Sequence, residues 1–94
     1  MQLEVSKRAR MNLKQIGHYY LATGGLALAE TMLDRIESRF DQLLNFPYSA
    51  PVYSHKPTLR RLVVADGLFI VFYRIQASSI QIVHIRRAEQ RDWQ

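Results

Sequence analysis

The residues best equipped for chemistry here are five arginines, Arg60, Arg61, Arg74, Arg86 and Arg87. They fall in one stretch, Leu59 to Arg87, LRRLVVADGLFIVFYRIQASSIQIVHIRR, with Lys56 and Arg91 just beyond it. An arginine fork binds phosphate or carboxylate through paired donors and stabilises charge that develops on a phosphate during cleavage. The stretch reads as three consecutive antiparallel strands, so side chains alternate between faces and Arg60 and Arg61 cannot both serve one site. The plainest reading of such a set is a solvated cationic rim. Docking of an acidic protein or peptide is the next reading, and nucleic acid follows it.

Other chemistries find less support. His18, His55 and His84 lie far apart in the chain and show no metal-ligand spacing. His84, among Ile82, Val83 and Ile85, is expected to be a satisfied or groove-facing strand residue rather than a base. No serine occupies a nucleophile elbow, and Gly24-Gly25 lacks the lysine and later glycines of a phosphate-binding loop. The chain has no cysteine, which removes disulfides, thiolate metal sites and cysteine nucleophiles. No catalytic set, metal site or cofactor is therefore expected.

The elements that position the arginines follow from periodicity. Ninety-four residues suffice for one domain, residues 1–94, with a single modest core. Gln2–Val5 alternates like a short strand, and Ser6 is placed to cap a helix starting at Lys7. Ala9, Leu13, Ile16 and Tyr20 make one stripe, and Thr23-Gly24-Gly25 supplies a turn. Leu26, Ala29, Leu33, Ile36, Phe40 and Leu43 mark a second helix that Pro47 stops. Strands are expected at 58–64, 68–75 and 79–86, with Asp66-Gly67 as a type I′ hairpin turn. The middle strand is apolar on both faces and belongs in the sheet interior. The order β-α-α-β-β-β predicts an α+β fold of two layers, a helical hairpin packed on a mainly antiparallel sheet.

Charge narrows the partners. The net charge is +5, from thirteen basic and eight acidic residues. Residues 24–46 carry a net −2, which leaves +7 on the remainder. A basic surface of this kind suits an acidic partner. No apolar run approaches the ~20 residues of a membrane span, and the N-terminus lacks a signal-peptide core, so a cytoplasmic location without membrane contact is expected.

The segments SKRARMNLKQIGHYY, LAETMLDRIESRFDQLLNFP, LRRLVV, LFIVFYRI and IQIVHIRRAEQRDW together resemble the ParE branch of the ParE/RelE toxin superfamily, the toxins of bacterial type II toxin–antitoxin modules. That resemblance covers nearly the whole chain and implies a toxin, often linked to plasmid stabilisation, that is neutralised by a cognate antitoxin. It further implies an antitoxin of the ribbon-helix-helix type, a hetero-oligomeric complex, and DNA contact only through that complex. The superfamily holds two activities: RelE-like members cut messenger RNA on the ribosome, and ParE-like members poison DNA gyrase. Ile70 stands where the RNA-cutting branch usually carries a catalytic arginine, Ala88 falls near another functional arginine position, and no tyrosine follows Tyr73. Gyrase inhibition is accordingly the expected activity. The alternatives are a RelE-like messenger RNA endonuclease and an inactive antitoxin-binding module. Tyr19, Tyr20, Arg60, Arg61, Arg74, Arg86 and Arg87 are the expected antitoxin contacts.

Overall fold

The computed structural model describes residues 1–89, and Arg91 lies outside the described residues. Strand β1 is Gln2–Val5, and Ser6 turns the chain into helix α1, Lys7–Gly24. The Ser6 hydroxyl accepts the Ala9 amide at 3.0 Å, as a helix cap should, and donates to the Val83 carbonyl at 2.9 Å. One side chain thus ends a strand, starts a helix and ties both to the far end of the chain. Ser6→Ala is expected to cost about 1–2 kcal/mol, read as a lower unfolding midpoint in denaturant; an unchanged midpoint would contradict this double role.

Helix α1 runs through Gly24, so the expected three-residue turn shrinks to Gly25 alone. Its φ of +90° is open to glycine and strained for other residues. Helix α2, Leu26–Asn45, buries Ala29, Met32, Ile36, Phe40 and Leu43. Two stripe positions differ from the periodic reading. Leu33 fills the seam between the helices, where a Cβ on Gly17 would lie 3.2 Å from its Cδ1. Met32 takes the buried place instead, and Leu26, beside the hairpin bend, stays exposed.

Three further strands complete the sheet: β2 (Arg60–Val64), β3 (Phe69–Ile75) and β4 (Ser79–Arg87). Their order is β1-β4-β3-β2, with β1 parallel to β4 and the other pairs antiparallel. The apolar strand β3 is interior, as expected, and β1 closes one edge. The architecture is α+β, two helices on a four-stranded mixed sheet. Asp66 and Gly67 both have positive φ, and the Leu68 amide bonds the Ala65 carbonyl at 3.1 Å, which is the type I′ geometry. Ala65 also adopts positive φ, and a second bond from the Gly67 amide to Val64 overlaps the first.

The helix-facing core holds Val64, Phe69, Val71, Tyr73, Ile80, Ile82 and Ile85 beneath the α2 stripe. On the opposite face Tyr53, Leu59, Ile70 and Phe72 form a second cluster. The irregular connection before β2 therefore folds over the sheet rather than away from it. It is fastened by the Tyr73 hydroxyl, which donates to the Pro47 carbonyl at 2.7 Å, and by the Arg61 amide bonded to the Pro51 carbonyl at 3.0 Å.

Candidate functional site

Strand β4 outruns its parallel neighbour. Pairing with β1 ends at Val5 opposite Ile82, while β4 continues to Arg87. Val83 is the extra residue of a bulge, because Phe72 pairs with His84 and Tyr73 with Ile82. From the bulge onward, side chains of Ser6 and of α1 take over from β1. Ser6 bonds the Val83 carbonyl, and the Asn12 Oδ1 accepts the Ile85 amide at 3.0 Å. From Ile85 to Arg87 no strand flanks that side of β4 among the described residues.

A trough runs along this edge between α1 and β4. Its lower part, about 300 Å³, is lined by Asn12, Ile16, Tyr20, Phe69, His84 and Arg86 among others. A second hollow of similar size continues from it past Leu68 and Ala88, sharing Tyr19, Tyr20 and Arg87. The floor is apolar and aromatic, with Tyr20 edge-on to Phe69 at 6.2 Å and to Tyr19 at 5.1 Å. The rim is cationic: the Arg87 guanidinium lies 4.9 Å from the centre of the exposed Tyr19 ring and meets Glu89 at 3.2 Å. An apolar floor with a cationic lip suits an amphipathic acidic segment.

His84 and Arg86 sit deeper. Arg86 is only 6% exposed, with its guanidinium 5.6 Å from the centre of the Phe72 ring and Nη1 donating to the Arg87 carbonyl at 3.0 Å. His84 stacks on the same ring, and its Nδ1 lies 3.0 Å from the Asn12 Oδ1. That oxygen already accepts the Ile85 amide and carries no proton, so Nδ1 is the protonated nitrogen of the ring. Burial first, and then the charges of Arg8 and Arg86, lower the His84 pKa from 6.5 to about 4. The unfolded chain therefore takes up a proton before the folded one. Stability from this group is complete above about pH 6.5 and is lost as the pH falls toward 4. Denaturant unfolding should show that decline, and His84→Gln should flatten it.

Of the seven expected contacts, Tyr19, Tyr20, Arg86 and Arg87 meet in the trough. Arg60 and Arg61 belong to β2, on the far edge of the sheet. Arg60 donates to the Ala50 carbonyl at 2.7 Å, and Arg61 lines a separate hollow with Val52 and His55. Arg74 is exposed near the other end of β3, where its Nε donates to Gln81 at 2.7 Å. Asn12 and Phe69 are trough residues that lie outside the expected contacts. The signal for Asn12 was a polar residue three positions after Ala9, on the border of the α1 stripe.

A protein-family model described as "ParE toxin of type II toxin-antitoxin system, parDE" matches residues 3–92. The chain belongs to the ParE toxin family. A solved structure titled "Chromosomal ParDE TA system from P. aeruginosa" holds a chain of the same fold. It is 26% identical to this ParE-family chain, with a TM-score of 0.85, over 95% of this chain and 97% of that one. No curated protein matches the chain. Membership of the ParE toxin family implies an antitoxin partner, and the trough is one concave surface among the described residues that joins aromatic side chains to a cationic rim. No described helix is long and apolar enough to cross a membrane.

Proposed function

We propose that this chain is a cytoplasmic toxin whose cognate antitoxin neutralises it by laying an amphipathic, acidic C-terminal segment in the α1–β4 trough. Once freed, the toxin arrests growth by binding DNA gyrase and does not cut RNA. The antitoxin is taken to be of the ribbon-helix-helix type, so any DNA contact is made by the antitoxin in the hetero-oligomer. The trough's position supports this reading. A helix fits the apolar floor, and an extended stretch can align with β4 where its strand neighbour has ended.

The non-catalytic part rests on Ile70. RNA cleavage needs several groups converging on the 2′-hydroxyl and the phosphate. Ile70 is 1% exposed in the cluster with Tyr53 and Leu59, and it pairs with the buried Arg86. A longer cationic side chain at that position would meet this cover before it met a substrate. Arg61 and Arg74 are likewise dispersed over different strands of the same face.

The test is controlled expression in cells with plasmid supercoiling, the DNA-damage response and transcript integrity all scored. Growth arrest with disturbed supercoiling and intact transcripts is the expected result, relieved by co-expression of the antitoxin. Cut transcripts with normal supercoiling would replace this reading with the endonuclease, and absence of arrest would leave an antitoxin-binding module.

A further inference from the structure

The loop before β2 presents aromatic side chains to solvent although its backbone is firmly held. The Tyr53 amide bonds Leu59 at 2.9 Å, the Tyr73 hydroxyl bonds Pro47, and Ala50, Tyr53 and Leu59 are buried. Phe46 and Tyr48 nevertheless remain 67% and 70% exposed. The Arg60 guanidinium lies 4.9 Å from the centre of the Tyr48 ring, fixed there by its bond to Ala50. Val52 bridges to Arg60, and a hollow of about 340 Å³ beyond it is lined by Val52, His55 and Arg61 among others. Because β2 is an edge strand, a partner that wraps the edge meets Arg60 on one face and Arg61 on the other.

We propose that this edge is a second docking surface, which receives an acidic segment with apolar side chains from the protein on which the toxin acts. The assignment rests on the reading of the chain as a toxin whose trough holds the antitoxin. Charge decides the chemistry of the partner. From Gln42 to Ala65 the chain carries no acidic residue, while Lys56, Arg60 and Arg61 are cationic. Tyrosine and arginine are the types that anchor protein interfaces, and an ordered loop loses little freedom on binding. Nucleic acid fits less well, since affinity for phosphates grows with the number of cations, and three are few. It would also leave Phe46 and Val52 without apolar partners. The strand order puts β3 between β2 and β4, so this surface and the trough lie on different edges. The antitoxin leaves the β2 edge open and neutralises by withholding the trough, which the same target must also engage.

The experiment uses the full chain, alone and saturated with antitoxin, titrated with a random glutamate–tyrosine copolymer and, separately, with a single-stranded oligonucleotide. The copolymer is expected to bind in both states. Arg61→Glu and Tyr48→Ala should each weaken it by about tenfold, Tyr48→Phe should restore it, and antitoxin affinity should be unchanged in all three. Loss of copolymer binding on adding antitoxin, or equal binding by the native chain and both disruptive variants, overturns the proposal. So does tighter binding of the oligonucleotide, or a dimer that Arg61→Glu dissolves, since α2 of a second copy carries Glu30, Asp34, Glu37 and Asp41. If no antitoxin segment enters the trough, the reading beneath the proposal fails there, while the copolymer titration of the isolated chain still reports on the β2 edge.

Discussion

Arg87→Glu is expected to weaken capture of the antitoxin segment by about a hundredfold, or about 3 kcal/mol, with little change in folding stability. Arg87 stands where the two hollows of the trough join, against the Tyr19 ring and within reach of Glu89. Its reversal removes one attraction for an acidic segment, sets a like charge against it, and releases the Tyr19 ring. Loss of a rim charge alone is a smaller effect, felt mainly in the association rate. The larger loss is expected because this cation also braces an aromatic wall of the trough. Calorimetric titration with the antitoxin's C-terminal segment at two salt concentrations measures it. Native affinity in the variant would move the antitoxin off this edge. Arg74→Glu is the matched control and should leave affinity nearly unchanged, since its Nε is engaged with Gln81 away from the trough.

The trough and the β2 edge share a physical origin. A four-stranded sheet has two edges, and each exposes backbone groups that must be satisfied or covered. At β2 the chain covers part of the edge itself, through Pro51–Tyr53, and that cover holds Tyr48 and Arg60 in place. At β4 the cover is incomplete: β1 stops early, Ser6 and Asn12 extend it by side chains, and beyond them the strand meets the trough. Arg60 and Arg61 fall at one edge and Arg86 and Arg87 at the other, with Arg74 at neither, so one basic patch in the sequence becomes two surfaces in the fold.

The main elements were legible because each rests on local chemistry. The apolar run of β3 demands burial on both faces, Asp66-Gly67 fits a type I′ turn, and Ser6 caps a helix wherever the helix goes. The trough was legible only in part. Tyr20 lies on the stripe of α1, and Arg86 and Arg87 end the last strand, but their meeting requires β1 to lie parallel to β4 and to end at Ile82. That is a long-range pairing with no local signature. The cover over Ile70 was hidden for a related reason, since Tyr53 sits in an irregular segment without periodicity and Leu59, expected inside the strand at 58–64, lies just ahead of β2. Arg60 and Arg61 were grouped with the other arginines on sequence proximity, and the interposed β3 separates them from the trough. The bulge residue Val83 is likewise held by Ser6, which is remote in sequence.

Asn12 carries a large expected loss of stability. Its Oδ1 accepts from the Ile85 amide and from His84 Nδ1, both at 3.0 Å, in place of a missing strand neighbour. Asn12→Ala removes both bonds, and an unmet buried donor costs about 1–3 kcal/mol. A loss of about 2–4 kcal/mol is expected, which for a domain of this size lowers Tm by roughly 10–25 °C. Asn12→Asp separates lost acceptors from lost shape. A carboxylate still accepts both bonds, so most stability should return near neutral pH. It also places a negative charge beside His84, which favours the imidazolium and opposes the lowering caused by burial, Arg8 and Arg86. In the native chain acid weakens the fold, because the folded pKa of His84 lies below the unfolded one. If the carboxylate lifts the folded pKa above the unfolded value, the sign inverts: the contribution is full below the unfolded pKa and fades as pH rises through the folded one. Unfolding in denaturant between pH 4 and 8 distinguishes the two slopes. Equal pH profiles for Asn12→Asp and the native chain would mean that the 3.0 Å contact with His84 does not govern the titration of this edge.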